Sequence, residues 1–287
     1  MESIKGSGYE ILTPINELKP LEEIEKSIIK KYRKYLWSKF IKAIKDFKLL
    51  EEGDKVAVAI SGGKDSVLMA KLFQELQLHG NMKFELEFIV ADPGYHEQIK
   101  KLMLENCKYL NIPVTVFDSG IFRIVDEIAQ DYPCYMCAKM RRGALYSKAQ
   151  ELGCNKLALG HHFNDVIETT VMNMLYTGSF KTMLPKLRSM NFKGLELIRP
   201  MYYIEEKHIE RFTQNSGIMP LNCACMVAAE RTGNKRYEVK DLIKELSTKI
   251  DNLEINIMRA TQNVNMEAIL GWQKAGKSFS YLDFYDE

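Results

Sequence analysis

The sequence predicts an α/β protein in which a parallel sheet is covered by helices on both faces, with helical additions at both ends. Three observations carry that prediction. Apolar strand-like runs alternate with helix-like runs through the middle of the chain. A glycine-rich turn, Ser61-Gly62-Gly63-Lys64-Asp65-Ser66, stands directly between the first strand and the helix after it. The outer segments, in contrast, show helical spacing with no strand alternating against it.

After a Gly-containing arm, residues 21–48 place Leu21, Ile24, Ile28, Tyr32, Leu36, Phe40, Ile44 and Phe47 at helical spacing. The other faces carry Lys30, Lys31, Arg33, Lys34, Lys39, Lys42, Lys45 and Lys48. They read either as a solvated face or as a nucleic-acid contact. The period then changes. "KVAVAI" (55–60), "FELEFIVA" (84–91), "IPVTVF" (112–117) and "KLALG" (156–160) read as strands, with helices near 66–78, 95–110, 122–130, 138–152 and 164–176. Beyond about residue 200 the chain reads as mostly helical, with "EEKHIERFTQNSG" ending in a glycine stop, then a two-cysteine turn and a charged helix near 235–248. The expected organisation is an arm and basic amphipathic helix over 1–50, a central domain over 51–220, and a cysteine turn with a helical segment over 221–287.

Composition sets limits on function. At 46% hydrophobic and 27% charged the 287-residue chain is an ordinary globular protein. Its net charge of +2 makes no strong overall field, so a nucleic-acid surface must come from local clustering. The start, "MESIKGSGYE", has no apolar core, and no apolar run approaches a bilayer's thickness, so a cytoplasmic protein is expected. Six cysteines in such a chain argue against a disulfide framework. Cys134 and Cys137 form a C-x-x-C and Cys223 and Cys225 a C-x-C, while Cys107 and Cys154 read as ordinary small buried residues.

In parallel sheets, ligands bind at the carboxyl ends of the strands. The turn at 61–66, Ala91-Asp92, and Gly160-His161-His162 all fall there. The turn is not a Walker loop, which needs four residues between its first glycine and the Gly-Lys pair. Gly62 and Gly63 still allow the backbone N–H groups to approach an anion, and the helix beginning near Ser66 directs its positive end at the same point. Ser61 and Ser66 add hydroxyls and Lys64 a charge, which points to phosphate binding.

The turn resembles the loop of the ATP pyrophosphatases, the PP-loop enzymes. Three stretches are similar to one branch, the tRNA 2-thiocytidine synthetases (the TtcA family). They are "FKLLEEGDKVAVAISGGKDS", "DYPCYMCAKMRRGALYSKAQELGCNKLALGHHFNDVIETTVMNMLYTGSFKTMLPKL" and "IRPMYYIEEKHIERF", in order over roughly residues 40–225. The resemblance implies a Rossmann-like, adenine nucleotide alpha hydrolase-like sheet. It implies that the loop holds the β- and γ-phosphates of ATP as a pyrophosphate leaving group, with Mg²⁺, while AMP passes to an oxygen of the substrate. It further implies tRNA as partner, a sulfur donor (sulfide or a cysteine desulfurase), and a homodimer. The chain departs from the family in two places. Asn164-Asp165 stands where the family shows two acidic residues, and the late cysteine motif is C-x-C rather than C-x-x-C. The zinc-finger pairs of the two-thiouridine relatives are absent from the sequence, which favours the cytidine branch.

Taken bare, the four paired cysteines suit a tetrahedral zinc or an iron–sulfur cluster equally. The resemblance implies a [4Fe-4S] cluster on Cys134, Cys137 and Cys225, with Cys223 as the alternative third ligand. It carries over Arg141 as the basic residue of the reaction centre and Asp165 as an acid/base or Mg²⁺-organising carboxylate; for Asn164 and Asp165 the alternative role is helix capping. Lys139 and Arg142 read as exposed helix residues. Asp92 is expected near ribose or adenine or, otherwise, in a turn before Pro93. His161 and His162 are expected to shape the nucleotide edge. "SFKTMLPKLRSMNFKG" mixes Lys181, Lys186, Arg188 and Lys193 with Phe180 and Phe192, as RNA-loop recognition or an active-site lid would. Met172 to Met174 reads as core. Two other functions compete: an iron–sulfur PP-loop sulfurtransferase or desulfidase on a different substrate, and a non-catalytic nucleotide-binding zinc protein.

Overall fold

The computed structural model describes residues 16–121, 133–221 and 235–285, and of residues 133–138 it describes the helix without the side chains. The predicted helix at 122–130 therefore lies outside the described residues. Four predicted strands are present: β1 (Lys55–Ala59), β2 (Glu85–Asp92), β3 (Val114–Asp118) and β4 (Lys156–Ala158). Two more, β5 (Lys186–Arg188) and β6 (Glu196–Ile198), complete a six-stranded sheet in the order β3-β2-β1-β4-β6-β5. Every neighbouring pair is parallel except β5 with β6. The chain passes between the parallel strands by α3 (Lys64–His79), α4 (Glu97–Tyr109), α5 (Pro133–Glu151) and α6 (Phe163–Thr177).

Alternation along β1 builds two cores. Val56 and Val58 point into a cluster with Leu68, Leu72, Phe73 and Met103, whereas Ala57 joins Ile89, Leu145, Ala149 and Leu157 on the opposite face. All three β1 residues are fully buried, as a central parallel strand requires. Cys107 and Cys154 are buried free thiols, and burial pushes both up to about 11.

The predicted helix over 21–48 is broken into α1 (Leu21–Ile29), a π turn at Arg33–Trp37, and α2 (Ser38–Asp46). The reason is written in the apolar spacing. Ile24, Ile28, Tyr32, Leu36, Phe40 and Ile44 are all buried, and each follows the last by four residues. An α-helix turns about 100° per residue, so each step of four overshoots by about 40° and the row would spiral off the core. A wide π turn takes up that overshoot and keeps the row on one face. Lys71, itself buried, anchors α1 by donating to Glu25 Oε1 at 2.5 Å and to the Leu110 carbonyl at 3.1 Å.

Part of the stretch at 179–194 is architectural. Lys186 Nζ reaches the Lys48 carbonyl at 2.9 Å and Glu196 at 3.1 Å, and Phe192 stacks on Tyr146 at 5.3 Å. Burial raises the Glu196 carboxyl, but Lys156 at 2.5 Å and Lys186 overcome it and hold it at about 2. A depressed folded-state value contributes stability that is present above the ordinary 4.5 and lost as pH falls towards 2. Glu196→Gln should therefore cost about 2 kcal/mol at neutral pH. Urea denaturation should show the gap to wild type closing between those two pH values; a gap independent of pH would remove this ionic role.

The chain divides into two compact units, Met1–Val166 with Met183–Asn234, and Ile167–Thr182 with Lys235–Glu287. The first holds the sheet and α7 (Glu206–Ser216), which ends at left-handed Gly217 as its glycine stop predicts. The second contains the tail of α6, α8 (Lys235–Ser247), α9 (Leu253–Ala260) and a hairpin. That hairpin, β7 (Gly271–Lys274) with β8 (Lys277–Ser280), was not anticipated in a region expected to be mostly helical. Trp272 stacks on Phe279 at 5.4 Å and on Phe284 at 5.3 Å. The turn between the strands is Ala275-Gly276, both at positive φ. An alanine in that position hides the usual Asn-Gly or Asp-Gly hairpin signal. Met174, expected in the core, is half exposed at 50%. No helix among the described residues is long and apolar enough to cross a membrane.

Candidate active site

The turn after β1 is held in shape by its own serines. Ser66 Oγ accepts the Ser61 N–H at 3.1 Å and donates to the Gly63 carbonyl at 3.0 Å. Ser66 is buried and acts as the latch of the turn, and the exposed Ser61 adds to it, its hydroxyl donating to Ser66 Oγ at 3.2 Å and accepting the Gly63 N–H at 3.4 Å. Gly62 has φ +79°, and a Cβ there would lie 2.7 Å from Leu221 Cδ1 and 3.0 Å from Met103 Cγ. Gly63 is the N-cap of α3 and supplies no side-chain cap, so the first-turn N–H groups of α3 face the turn without one. This is a cradle suited to phosphate oxygens. Gly160 approaches it from β4: a Cβ would stand 3.3 Å from the Asp65 carbonyl carbon and from the Ser66 nitrogen. Its role in the structure is therefore close packing of that edge against α3.

Lys64 extends into a cluster of carboxylates. Its Nζ lies 3.1 Å from Glu206 Oε1 and 3.4 Å from Asp65 Oδ1. Burial works against its charge, but Asp65 and Glu206 outweigh it and hold the ammonium above its ordinary value. Asp65 moves upward, because burial, Asp165 and Glu206 together exceed the pull of Lys64 and His162. Its Oδ1 is buried and accepts no hydrogen bond from the described residues, with His162 Nε2 3.8 Å away. His162, also buried, places Nδ1 3.6 Å from Asp165 Oδ2. That same oxygen accepts the His162 N–H at 2.8 Å, the reach-back half of a capping box at the start of α6.

Asn164 has a separate task. Its Oδ1 accepts the Glu206 N–H at 2.9 Å and so caps α7, whose first carboxylate pairs with Lys64. A carboxamide does this without adding a further negative charge beside Asp65, Asp165 and Glu206. His161 Nδ1 accepts from Arg199 Nε at 3.3 Å, and Arg199 also donates to the Leu184 carbonyl. Arg199 is buried; burial and the nearby Arg142 cation lower it to about 10. Among the described residues it has no ion-pair partner, which makes this edge a place for an anion.

Asp92 is committed elsewhere. Its Oδ1 accepts the Gly94 and Tyr95 N–H groups, both at 2.9 Å, and its Oδ2 meets Lys100 at 2.8 Å. Burial raises its carboxyl, but Lys100 and those two N–H groups bring it below the ordinary range. The structure thus places Asp92 in the turn before Pro93, beside the buried Ala91. Arg141 lies part-buried on α5, with Lys139 and Arg142 exposed.

The side chains of the paired cysteines, and the whole of 222–234, lie outside the described residues; what is described is the helix start that carries Cys134 and Cys137 and the residue at 221. Cys134 and Cys137 occupy the beginning of α5, which runs from the end of β3 back to β4, so its N-terminal end lies at the carboxyl edge of the sheet. The Leu221 N–H donates to the Gly62 carbonyl at 3.0 Å, fixing the chain to the turn just before Cys223 and Cys225. Glu206, Arg199 and Leu221 were not anticipated from the sequence. The signals available were an arginine closing an apolar run in "LELIRP" and the paired acids of "YYIEEKH".

The PP-loop domain family matches residues 33–220. A tRNA-cytidine(32) 2-sulfurtransferase of Pelobacter propionicus is 35% identical, over 82% of this chain and 87% of that protein. One of Syntrophotalea carbinolica is 36% identical, over 80% and 88%. The U34-tRNA thiolase NcsA from Methanococcus maripaludis, solved with its [4Fe-4S] cluster, shares the fold with TM-score 0.62 at 24% identity, covering 87% of this chain and 82% of that one.

Proposed function

Because the chain belongs to the PP-loop family, within the group of the tRNA-cytidine(32) 2-sulfurtransferases, we propose that it is an ATP-dependent tRNA thiolase acting on the C2 oxygen of cytidine 32. The observation that carries this reading is the meeting at one sheet edge of a phosphate cradle and the start of α5, where Cys134 and Cys137 stand, with Leu221, two residues before Cys223 in sequence, hydrogen-bonded to Gly62.

ATP enters with its β- and γ-phosphates against the N–H groups of Gly62, Gly63 and the first turn of α3, and Lys64 supplies the cation there. Glu206 and Asp65 hold that cation in place, and Asn164 holds Glu206. Mg²⁺ accompanying ATP would draw on the carboxylates beside Lys64, Asp65 among them. The cytidine C2 oxygen attacks the α-phosphorus, the bond to the β-phosphate oxygen breaks, and pyrophosphate leaves. Arg199 and Arg142, with Arg141 beside them on α5, offset negative charge at that centre, while Asp165 orients His162 against Asp65. A sulfur nucleophile then displaces AMP from C2.

The thiols of Cys134, Cys137 and either Cys225 or Cys223 form a donor set for a [4Fe-4S] cluster. When bound there, the cluster would supply the sulfur-delivery chemistry, and these thiols would hold it. Anaerobically purified protein should contain near four irons and four acid-labile sulfides per chain. Loss with only one of Cys225→Ser and Cys223→Ser would name the third ligand; about one zinc and no sulfide would remove the cluster from this reading. With unmodified tRNA, ATP and sulfide, such protein should give 2-thiocytidine by mass spectrometry. Unchanged nucleosides from cluster-loaded enzyme would sink the assignment.

A further inference from the structure

The buried row of the N-terminal helices has a counterpart on the opposite side. Lys26, Lys30, Lys34 and Lys42 also fall at steps of four or eight, two residues out of phase with Ile28, Tyr32, Leu36 and Phe40. All four lysines are exposed. The π turn that keeps the apolar row inward therefore keeps this row outward in one line. In a continuous α-helix the cations would spiral around the axis; here they form a ridge, with rises of about 6 Å for each step of four and about 12 Å from Lys34 to Lys42. From Lys26 to Lys48 there are nine cations and one carboxylate. That carboxylate, Asp46, is taken up by Lys42 at 2.5 Å and the Tyr203 hydroxyl at 3.0 Å. A local excess this large contrasts with the chain's net +2.

The ridge is joined to the active site through α7. Tyr35, exposed within the ridge, stacks on His208 with ring centroids 4.2 Å apart, and Lys34 lies 5.6 Å from the Tyr35 ring. Two residues before His208, Glu206 holds Lys64. An anionic membrane fits this surface poorly, because the apolar face of these helices is consumed by the core and cannot enter lipid.

We propose that the ridge around Lys30, Lys31, Arg33 and Lys34 is the docking surface for the sugar–phosphate backbone of the tRNA, positioning the anticodon loop for the PP-loop edge. This rests on tRNA being the substrate. Backbone contacts of this kind give register and affinity with a steep salt dependence and no base readout.

The test is filter binding of an unmodified tRNA transcript across a salt series. It compares wild type with Lys30→Gln/Lys31→Gln/Arg33→Gln/Lys34→Gln, and with a control of equal charge change at exposed sites elsewhere, Lys101→Gln/Lys108→Gln/Lys244→Gln/Lys249→Gln. The ridge variant should lose ~10–100-fold in affinity near ~0.1 M salt, and its log K against log salt slope should shrink by about 2–4. The control should stay near wild type in both. Should the ridge variant melt early, Lys30→Gln/Lys34→Gln should show an intermediate loss at wild-type melting temperature. Wild-type affinity and slope in a fully folded ridge variant would overturn the docking surface. So would loss of binding only to phosphatidylserine vesicles. Failure of the thiolation reading has a different signature: cluster-loaded wild-type enzyme forming no 2-thiocytidine, whatever its tRNA affinity.

Discussion

Gly62→Ala should reduce ATP-dependent AMP formation ~100-fold or more, while Gly63→Ala, one residue on, should cost ~10-fold or less. The two glycines differ in what they hold. Gly62 sits at φ +79°, where an L side chain costs roughly 1–2 kcal/mol before any contact is counted. Its new Cβ would also stand 2.7 Å from Leu221 Cδ1 and 3.0 Å from Met103 Cγ. The leucine side chain could rotate away, but its backbone is fixed by the hydrogen bond to the Gly62 carbonyl, so a turn that shifts takes Leu221 with it. Gly63 has φ −74°, and its added Cβ meets the Leu221 carbonyl at 3.4 Å and Ser61 Oγ at 3.5 Å, ordinary contacts. AMP release and iron content should be measured on both variants. Gly62→Ala should lower both, because it disturbs the cradle and the approach to Cys223 and Cys225 together. Wild-type AMP release from Gly62→Ala would mean that the turn does not hold the phosphates.

The sheet was legible because β1, β2 and β3 alternate with helices and the three-residue β4 sits inside the apolar run "KLALG", and the phosphate turn because its glycines follow a strand directly. Strands β5 and β6 are three residues each and carry charged ends, too short to show a period. The N-terminal helix was legible as a helix but not as a broken one. Six buried residues at a strict step of four contain the π turn in principle, yet a step of four also fits the loose three-to-four rule for any helix. Asn164 and Asp165 teach a different lesson. Resemblance marks the pair as a family position with one carboxylate missing, whereas the structure gives both side chains capping contacts, one on α6 and one on α7. Asp92 likewise satisfies its carboxylate within its own turn. Glu206 and Arg199 come from segments distant in sequence, and only the folded chain brings them to Lys64 and His161.

Lys64→Ala should lower AMP formation by ~1000-fold, since it removes the one side-chain cation that the cradle directs at the departing phosphates. Lys64→Arg should recover little, because a planar guanidinium cannot replace a compact ammonium held between Glu206 at 3.1 Å and Asp65 at 3.4 Å. Glu206→Gln distinguishes a held cation from one that is merely present. Glu206 helps to raise Lys64, and it also helps to raise Asp65. Neutralising it must therefore let both fall. The alkaline loss of activity, which follows deprotonation of Lys64, should move to lower pH, and an acidic limb that follows protonation of Asp65 should move the same way. A pH profile displaced downward on both limbs is a signature that a purely structural role for Glu206 would not produce. Displacement of one limb alone would assign the other to a different group. An unmoved profile with reduced rate would reduce Glu206 to holding α7 against the sheet, and would leave the backbone N–H groups of α3 as the principal phosphate ligands.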